Sequence, residues 1–360
     1  MCCGVQKARM ILRAALILVL VSAPASLAAQ TFSENDPDVT ITTIEGPKNA
    51  AFAIGNGTVW FLAKDRLFKL DAQNNLLPPV PMEQLKRVGY AAGGWAVGGG
   101  SVWRFGKAHD VEGVHRFDPG TGKCVATVSL KPRKGSNSLT YGLGSLWVLN
   151  EHDGILVRID PATNQVSAMI ELGKGFWQDL KIADGAVWAM GVENGKVERV
   201  DPQSNKVVDE FSVGPPQKNG LFTMVLEGGS YYSSVADGML LVADSKDISS
   251  GKYTLFRIDP RTHERVAKIE IDNANGVPVF WNGYVWLATT LNTVHVITKI
   301  DPKVNRVARQ ISLPGRRDAV APSSLLADEN SLWDFTLGYG SAPIIVRRIQ
   351  AKAAELRQKD

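Results

Sequence analysis

Cysteine, excess charge and long apolar runs are all scarce in this sequence of 360 residues, and each scarcity excludes a class of protein. Of the three cysteines, Cys2 and Cys3 stand near the start and only Cys124 lies in the body of the chain, which excludes a disulfide framework there. The 40 basic and 36 acidic residues nearly balance, so the chain has no basic footprint for nucleic acid.

The first 29 residues have the composition of an export signal. They contain Lys7, Arg9 and Arg13 but no acidic residue, then an apolar run over 14–21, then small residues over 22–29. This order is typical of a secretory signal peptide over residues 1–29. A membrane anchor is the competing interpretation, but the run is shorter than the roughly 20 residues that a spanning helix needs. We therefore expect a secreted or periplasmic protein with no stable membrane span after cleavage.

A short phrase ending in tryptophan returns along the rest of the chain. It reads Gly or Asn, any residue, Val or Leu, Trp, and its copies lie 41 to 54 residues apart when Tyr232 is counted as the fifth member. The tryptophans of the phrase are Trp60, Trp103, Trp147, Trp188, Trp286 and Trp333. Recurrence of a large aromatic at one place in each unit predicts packing between neighbouring units.

A second phrase, Arg or Lys, an apolar residue, Asp, Pro, follows the aromatic in five of the units. Its aspartates are Asp118, Asp160, Asp201, Asp259 and Asp301. Asp followed by Pro suits the start of a type I turn. Apolar residues alternate before each aromatic, and another alternating segment follows each Asp-Pro turn, so every unit predicts four short strands. No stretch between residues 38 and 350 has helical periodicity.

Seven such units predict an all-β fold, a seven-bladed β-propeller of four-stranded blades over residues 30–350. The last unit has three strands before a polar C-terminal tail over residues 351–360, and residues 38–44 form a strand ahead of the first unit. We expect this N-terminal strand to complete the last blade and to close the ring without an exposed edge.

The fifth unit breaks the pattern. With Tyr232 as its repeat aromatic, its Asp-Pro phrase comes about a dozen residues late, which predicts an insertion over residues 236–251. This places a long loop between the second and third strands of blade five. The apolar residues 239–242 within it predict either a lid or a local hairpin.

Loop variety predicts which end of the ring binds. The connections into each first strand and those between second and third strands vary, whereas the other turns are stereotyped. Because binding residues concentrate on variable loops of a rigid scaffold, we place the binding surface at the variable end. The candidate ligand-binding residues there are Asp110, Glu151, Trp177, Gln178, Asp179, Asn219 and Asn275.

His109 and His152 occupy equivalent loops of adjacent blades, beside Asp110 and Glu151. Imidazoles with neighbouring carboxylates suit either a divalent metal or an acid and base pair. The other interpretation is a solvated polar rim. The two histidines are therefore the candidate catalytic residues, and the sequence leaves open whether the protein is an enzyme.

Two segments resemble known repeat families. Val-Arg-Ile-Asp-Pro-Ala-Thr-Asn-Gln-Val at 157–166 resembles the repeat of secreted YVTN-type propellers. Gly-Ser-Leu-Trp-Val-Leu-Asn-Glu-His at 144–152 resembles the repeat of the virginiamycin B lyase (streptogramin lyase) family. The resemblance covers roughly residues 38–350 and concerns the blade. Lyases of that family use a magnesium ion and a histidine base on one face of a seven-bladed ring, and their catalytic set cannot be matched here residue by residue.

Two hypotheses of function follow. In the first, the protein binds a small molecule, peptide or protein partner at the mouth of the central channel and needs no cofactor. The alternative, implied by the resemblance, is a metal-dependent lyase that acts on an ester or similar bond with Mg²⁺. A third hypothesis, a quinone-cofactor dehydrogenase, is less favoured, because the tryptophan-docking repeat phrases usual in such enzymes are absent from this sequence. Convergence of His109 and His152 on one metal-sized space would favour the lyase.

Overall fold

The regular structure of the described residues is β-strand throughout. The computed structural model describes residues 38–86, 94–108, 110–130, 137–191, 195–213, 231–236, 238–247, 252–272, 277–291, 294–313, 323–336 and 342–352. These residues form 28 strands in seven antiparallel four-stranded sheets, which we number as blades in chain order. None of them belongs to an apolar helix long enough to cross a membrane.

Blades 1 to 4 each use four consecutive strands. Blade 1 contains β2 (Ala51–Gly55), β3 (Thr58–Ala63), β4 (Arg66–Lys69) and β5 (Val80–Pro81). Blade 2 contains β6 (Trp95–Gly98), β7 (Ser101–Ala108), β8 (Val111–Phe117) and β9 (Cys124–Ser129). Blade 3 contains β10 (Asn137–Gly142), β11 (Ser145–Asn150), β12 (Ile155–Asp160) and β13 (Gln165–Glu171). Blade 4 contains β14 (Trp177–Ala183), β15 (Ala186–Gly191), β16 (Lys196–Asp201) and β17 (Lys206–Ser212).

Blades 5 and 6 follow the same order, and blade 7 borrows a strand from the start of the chain. Blade 5 contains β18 (Tyr231–Ala236), β19 (Met239–Asp247), β20 (Lys252–Ile258) and β21 (Arg265–Asp272). Blade 6 contains β22 (Val279–Trp281), β23 (Tyr284–Leu291), β24 (Val294–Asp301) and β25 (Arg306–Ser312). Blade 7 contains β26 (Ser323–Ala327), β27 (Leu332–Thr336), β28 (Pro343–Ala351) and β1 (Val39–Lys48).

The N-terminal strand closes the ring as predicted. Strand β1 pairs antiparallel with β28, with Ile44 opposite Val346. Ala351 still pairs with Val39, and the backbone N–H of Lys352 donates to the Asp38 carbonyl at 2.8 Å, so the strand enters the predicted tail. The seven-bladed propeller with a shared last blade, predicted from the repeats, is therefore confirmed.

The hydrophobic core lies between blades rather than within one. Seven apolar clusters of the described residues each join two consecutive blades. An open row of sheets would leave its two end blades without a shared cluster. Here Phe61 of blade 1 packs with Phe335 and Val346 of blade 7, which closes the ring.

The repeat tryptophans are core residues, as predicted. Each indole Nε1 donates to an acceptor five residues earlier, as Trp147 does to the Gly142 carbonyl at 3.1 Å. Trp103 and Trp147 are fully buried in the clusters between blades 2 and 3 and between blades 3 and 4. The indole thus fills the space between blades while its one polar atom is satisfied.

The repeat arginine ties neighbouring blades together. The Arg158 guanidinium lies 5.2 Å from the ring centroid of Trp147, and its Nε donates to Ser145 Oγ at 2.9 Å. Its Nη1 reaches the next blade, where it donates to the Pro202 carbonyl and to Asn205 Oδ1. Arg116 and Arg257 make the same contacts with Asn164 and Asn305. We call this the cross-blade arginine contact.

The structure corrects the register predicted for blade 5. Tyr232 lies in the first strand, and Leu241 of the second strand faces Arg257 as Trp147 faces Arg158. Leu241 therefore takes the place of the repeat tryptophan, and Leu240 and Leu241 are buried core residues. The predicted long loop over 236–251 is wrong, because Met239–Asp247 is the second strand of the blade.

Candidate functional site

The two ends of the ring are built differently. One end, the turn face, carries the glycine turns such as 142–145 and the Asp-Pro turns such as 160–164. The other end, the loop face, carries the loops between second and third strands, such as Glu151–Gly154, and the connections between blades. These are the stereotyped and variable ends that the sequence distinguishes.

The aspartates of the Asp-Pro turns on the turn face are hydrogen-bonded within their own turns. Asp160 accepts from the backbone N–H of Ala162 at 2.8 Å and from Thr163 Oγ1 at 3.0 Å. These hydrogen bonds lower the pKa of Asp160 below its ordinary value. The Arg261 side chain and the turn backbone hold the pKa of Asp259 at about 2. The cross-blade arginine contacts bind the carbonyls of the same turns.

On the loop face, the predicted residues of blade 3 share one turn. The His152 side chain is 61% exposed, and its Nδ1 lies 3.6 Å from Asp153 Oδ1. Glu151 is partly buried, and its Oε1 accepts from Ser138 Oγ at 2.6 Å. The Glu151 carbonyl also accepts from the Trp177 backbone N–H at 2.8 Å. This turn is therefore anchored at Glu151 and open to solvent at His152.

In blade 2, Asp110 is exposed and lies 3.2 Å from Lys107 Nζ. Its φ of 62° places it in the left-handed region that Asp tolerates at turns. His109 lies outside the described residues, so the predicted convergence of His109 and His152 stays a prediction.

Trp177 is a core residue between blades 3 and 4. Its indole is fully buried, and Nε1 donates to the Gly173 carbonyl at 3.0 Å. A Cβ added to Gly154 would lie 2.7 Å from that nitrogen, so the indole is enclosed. The indole has no exposed surface for a ligand, unlike the contact predicted from its connector position.

The other predicted ligand-binding residues cannot be placed as side chains. Gln178 and Asp179 belong to β14, where Asp179 pairs with Met190, but only their backbone is described. Asn219 and Asn275 lie outside the described residues. Their contribution to binding stays a prediction.

A layer of buried polar groups next to the repeat phrases was missed by the sequence analysis. In each of the seven blades an Arg or Lys pairs with the repeat aromatic position, and we call it the repeat Arg or Lys. The residue after the aromatic position pairs with the residue before this Arg or Lys. The seven pairs are Phe61 and Phe68, Arg104 and His115, Val148 and Val157, Ala189 and Glu198, Val242 and Phe256, Leu287 and Thr298, and Asp334 and Arg347. Blades 1, 3 and 5 have apolar pairs, whereas the others introduce polar or charged groups.

Blades 6 and 7 share the most strongly buried charged cluster among the described residues. Asp334 is fully buried, and its Oδ2 accepts from Arg347 Nη1 at 2.7 Å. His295, at the loop-face start of β24, places Nε2 3.1 Å from Asp334 Oδ1. Arg347 Nη1 also donates to Thr336 Oγ1 at 2.8 Å. Buried charges persist when they are paired in this way, and such clusters occur at functional sites.

Blade 4 carries a second cluster. The Glu198 carboxylate is 1% exposed, and its Oε1 accepts from Lys196 Nζ at 2.7 Å and from the Gly173 backbone N–H at 2.9 Å. Lys196 also contacts Glu210 Oε1 at 3.0 Å. Burial opposes the charge of Lys196, but the hydrogen bonds to both glutamates raise its pKa. This cluster ties the connection from blade 3 onto blade 4 and keeps Lys196 protonated.

The residues of these clusters do not suit the magnesium ion implied by the lyase resemblance. No group of three or more His, Cys, Asp or Glu side chains in the described part of the chain has the arrangement of a metal site. Asp334 already binds the guanidinium of Arg347. The ammonium group of Lys196 already binds the carboxylates of Glu198 and Glu210 in blade 4. Mg²⁺ prefers oxygen ligands that are free to bind it. The described clusters therefore do not fit a metal, and no catalytic step is derived through one.

The fold defines a seven-bladed β-propeller of virginiamycin B lyase-like architecture. It is similar to a streptogramin B lyase structure with a TM-score of 0.55 at 15% identity, over 88% of this chain and 98% of that chain. Virginiamycin B lyase from Staphylococcus aureus gives a TM-score of 0.55 at 13% identity, over 87% and 99%. BamB from Moraxella catarrhalis gives 0.52 at 11% identity, over 83% and 84%.

The chain matches no protein-family model and no curated protein. Identities of this size establish a shared fold and leave the function to be argued from the site. The resemblance to the lyase family noted in the sequence is thus confirmed for its architecture.

Proposed function

We propose that this protein is an exported propeller that binds a small molecule, peptide or protein partner on its loop face, at the mouth of the central channel. The carrying observation is the difference between the two ends. Carboxylates and arginines on the turn face are used within and between blades, as Asp160 and Arg158 illustrate. The loop face instead presents an anchored turn with an exposed His152.

Buried charge below the loop face supports the same proposal. Asp334 and Glu198 lie near the middle of their strands, and each is bound by a residue at the loop-face start of a strand, His295 and Lys196 respectively. Each cluster links two blades or a blade and its connector. Burying charged groups costs free energy unless their partners are held in a fixed hydrogen-bonding geometry. A rigid support of this kind positions the loops above it.

The binding proposal is tested by a thermal-shift screen. The protein beginning at residue 30 is mixed with pools of metabolites, peptides and divalent metal salts, because a ligand that binds only the folded ring raises its melting temperature. Every hit is repeated with His152→Ala and with Ala162→Ser, a matched change on the turn face of the same blade. The proposal requires at least one hit whose stabilisation is reduced by the first change and kept by the second. A screen in which no hit is weakened by His152→Ala or by a change of Asp110, Asp179, Asn219 or Asn275 would contradict it.

Export is part of this proposal and rests on the basic, apolar and small-residue order of residues 1–29. Mass spectrometry of protein recovered from the envelope or medium should find an amino terminus close to Ala29 or Gln30. Recovery of intact Met1 on membrane-bound protein would contradict cleavage.

A lyase-type activity is the second candidate function, and the His295 and Asp334 pair favours it. With Nε2 protonated, His295 donates to the buried carboxylate, which leaves Nδ1 as a proton acceptor. A carboxylate that orients a histidine in this way is a recurring part of general-base catalysis. At the loop face, such a base would take a proton from the carbon next to a carbonyl. The C–H electron pair would form a carbon–carbon double bond as the neighbouring carbon–oxygen bond of the ester breaks and a carboxylate leaves.

This second function is tested with a streptogramin B antibiotic, because a streptogramin B lyase is among the structures that share this fold. Cleavage of an ester bond by elimination is followed by liquid chromatography with tandem mass spectrometry, with and without added Mg²⁺, because fragmentation detects the broken bond even where the mass is unchanged. Three variants are compared: His295→Gln, the His109→Ala and His152→Ala double variant, and the turn-face control Ala162→Ser. If only His295→Gln loses the activity, His295 is the base. If only the double variant loses it, the base is His109 or His152. Absence of cleavage by the unaltered protein removes this candidate.

A further inference from the structure

The outer strand of blade 1 is interrupted by proline. Strand β5 has only two residues, Val80 and Pro81, whereas the outer strands of the other blades have at least six. Pro78, Pro79 and Pro81 lack the backbone N–H that a ladder needs. The chain therefore leaves the edge of the sheet soon after pairing with Leu67 and Arg66.

The segment that follows is held by contacts to two blades. The Met82 N–H donates to the Asp65 carbonyl at 2.8 Å in blade 1, and the Glu83 N–H donates to the Gly122 carbonyl at 3.1 Å in blade 2. Lys86 then exchanges two backbone hydrogen bonds of 2.9 Å with Lys107. Because it is fixed along its length, the segment forms a firm wall beside blade 1.

A groove of about 600 Å³ lies between this wall and the turn that joins β3 to β4. Its lining residues are Ala63, Lys64, Asp65, Arg66, Pro79, Pro81, Met82 and Gln84. Met82 is buried at its base and packs with the core between blades 1 and 2. Volumes of this size accommodate small organic ligands.

The groove combines this apolar wall with two cationic side chains. Lys64 and Arg66 are exposed, and neither side chain makes a hydrogen bond or an ion pair in the part of the chain that the structure describes. The one carboxylate of the lining, Asp65, faces another cation, Arg104, with 3.6 Å between Oδ1 and Nη1. The net positive charge of the groove therefore comes from Lys64 and Arg66.

We propose that this groove is a ligand site for an organic anion, with the anionic group between Lys64 and Arg66 and an apolar chain or ring against Pro79, Pro81 and Met82. A lysine and an arginine on one rim suit a carboxylate, and the proline wall supplies apolar contact without rotamer entropy to lose. The site includes the loop between β3 and β4, so it lies on the loop face, beside the outer strand β5 of blade 1. It uses none of the residues on which the function proposed above rests and does not depend on that function.

Isothermal titration with decanoate, below its micelle concentration, tests this site. Decanol and decylammonium serve as neutral and cationic matches of the same chain length. The Lys64→Ala and Arg66→Ala double variant is compared with Lys206→Ala and Lys303→Ala, which removes two exposed cations from other blades. We expect decanoate binding to weaken about tenfold in the groove variant and less than twofold in the control, because only the groove variant removes both charged contacts of the carboxylate and such contacts are modest at an exposed site.

The specificity series and a loop-face variant complete the test. Decanoate should bind more tightly than decanol, and its affinity should fall as salt is added. His152→Ala should leave decanoate binding unchanged, which separates the groove from the channel mouth. The proposal is overturned if decanoate does not bind saturably, if both double variants weaken it equally, or if decylammonium binds as well as decanoate.

Discussion

Phe52 of blade 1 stacks on Phe335 of blade 7, with ring centroids 4.0 Å apart and 2° between the ring planes. The two residues belong to opposite ends of the chain, and their contact joins the first blade to the last. Phe335 also meets Phe61 edge-on at 6.4 Å. The closed ring therefore depends on aromatic packing as well as on the pairing of β1 with β28.

Removing this contact should weaken the whole domain. Phe335 is fully buried, so Phe335→Ala should lower the free energy of unfolding by roughly 3 to 5 kcal/mol. Urea unfolding followed by tryptophan fluorescence measures the change. Phe335→Leu, which keeps apolar volume but cannot stack, should cost less than alanine but still destabilise the ring. A Phe335→Leu variant as stable as the unaltered protein would argue against a specific stacked contact.

The closing strand can be tested by truncation. Removal of residues 38–44 exposes the edge of β28 and should destabilise the ring, whereas removal of residues 353–360 should not. The second truncation stops at Lys352, because its backbone N–H binds the Asp38 carbonyl. Urea midpoints that are the same for both truncated proteins would contradict the shared blade.

The cross-blade arginine contact gives a prediction with an internal control. Asn205 accepts from Arg158 Nη1 at 3.0 Å and has a φ of 53°. Asn205→Ala should cost about 2 kcal/mol, because it loses the hydrogen bond and strains the left-handed backbone. Asn205→Gly loses only the hydrogen bond and should cost about 1 kcal/mol. If chemical denaturation shows that Asn205→Gly is less stable than Asn205→Ala, this division of the cost between hydrogen bond and backbone strain is contradicted.

Blade 5 offers a direct test of its corrected register. Leu241 is 1% exposed and packs between blades 5 and 6, so Leu241→Ala should cost about 2 to 5 kcal/mol. The exposed Val266, on the outer strand of the same blade, serves as the control, and Val266→Ala should change stability by less than about 1 kcal/mol. If residues 239–242 formed a solvated loop, the two substitutions would have similar effects.

The Asp-Pro turns should make the stability of the folded protein depend on pH in the acid range. Hydrogen bonds lower the pKa values of Asp118, Asp160 and Asp201, and the Arg261 side chain lowers that of Asp259 from 3.8 to about 2. A carboxylate with a lowered pKa in the folded state stabilises it above the unfolded value and loses that contribution as pH falls. Melting temperature should therefore decrease from pH 4 towards pH 2. Asp259→Asn should flatten this decrease, and an unchanged profile would count against the turn as its origin.

The fold was predictable because the contacts that define a blade recur in sequence. Trp147 and Arg158 stack within a blade, and Arg158 binds the following Asp-Pro turn, so the phrases that contain them repeat. Blade 5 was misread because Tyr232 imitates the aromatic of the phrase, while the true equivalent, Leu241, is not aromatic. Leu241 fills the apolar space at that position, where the repeat phrase predicts a tryptophan.

The candidate site was predicted less completely, since its contacts join residues that are distant in sequence. His295 meets Asp334 across two blades, at a separation that no local phrase reveals. One signal was present: Asp334 follows a repeat tryptophan and Arg347 precedes a repeat arginine, where most other blades have apolar residues at one or both positions. Trp177 was misjudged because its place on a connector suggested exposure, whereas the turn around Gly154 covers it.

The most direct test of the central claim is photo-crosslinking from the two ends of one blade. Benzoylphenylalanine is placed at position 152 on the loop face or at position 162 on the turn face, and each protein is irradiated in envelope extract of the producing organism. The account predicts a discrete adduct from position 152 and none from position 162. Equal adducts from both positions, an adduct from position 162 alone, or none from either would contradict a loop face that binds a partner.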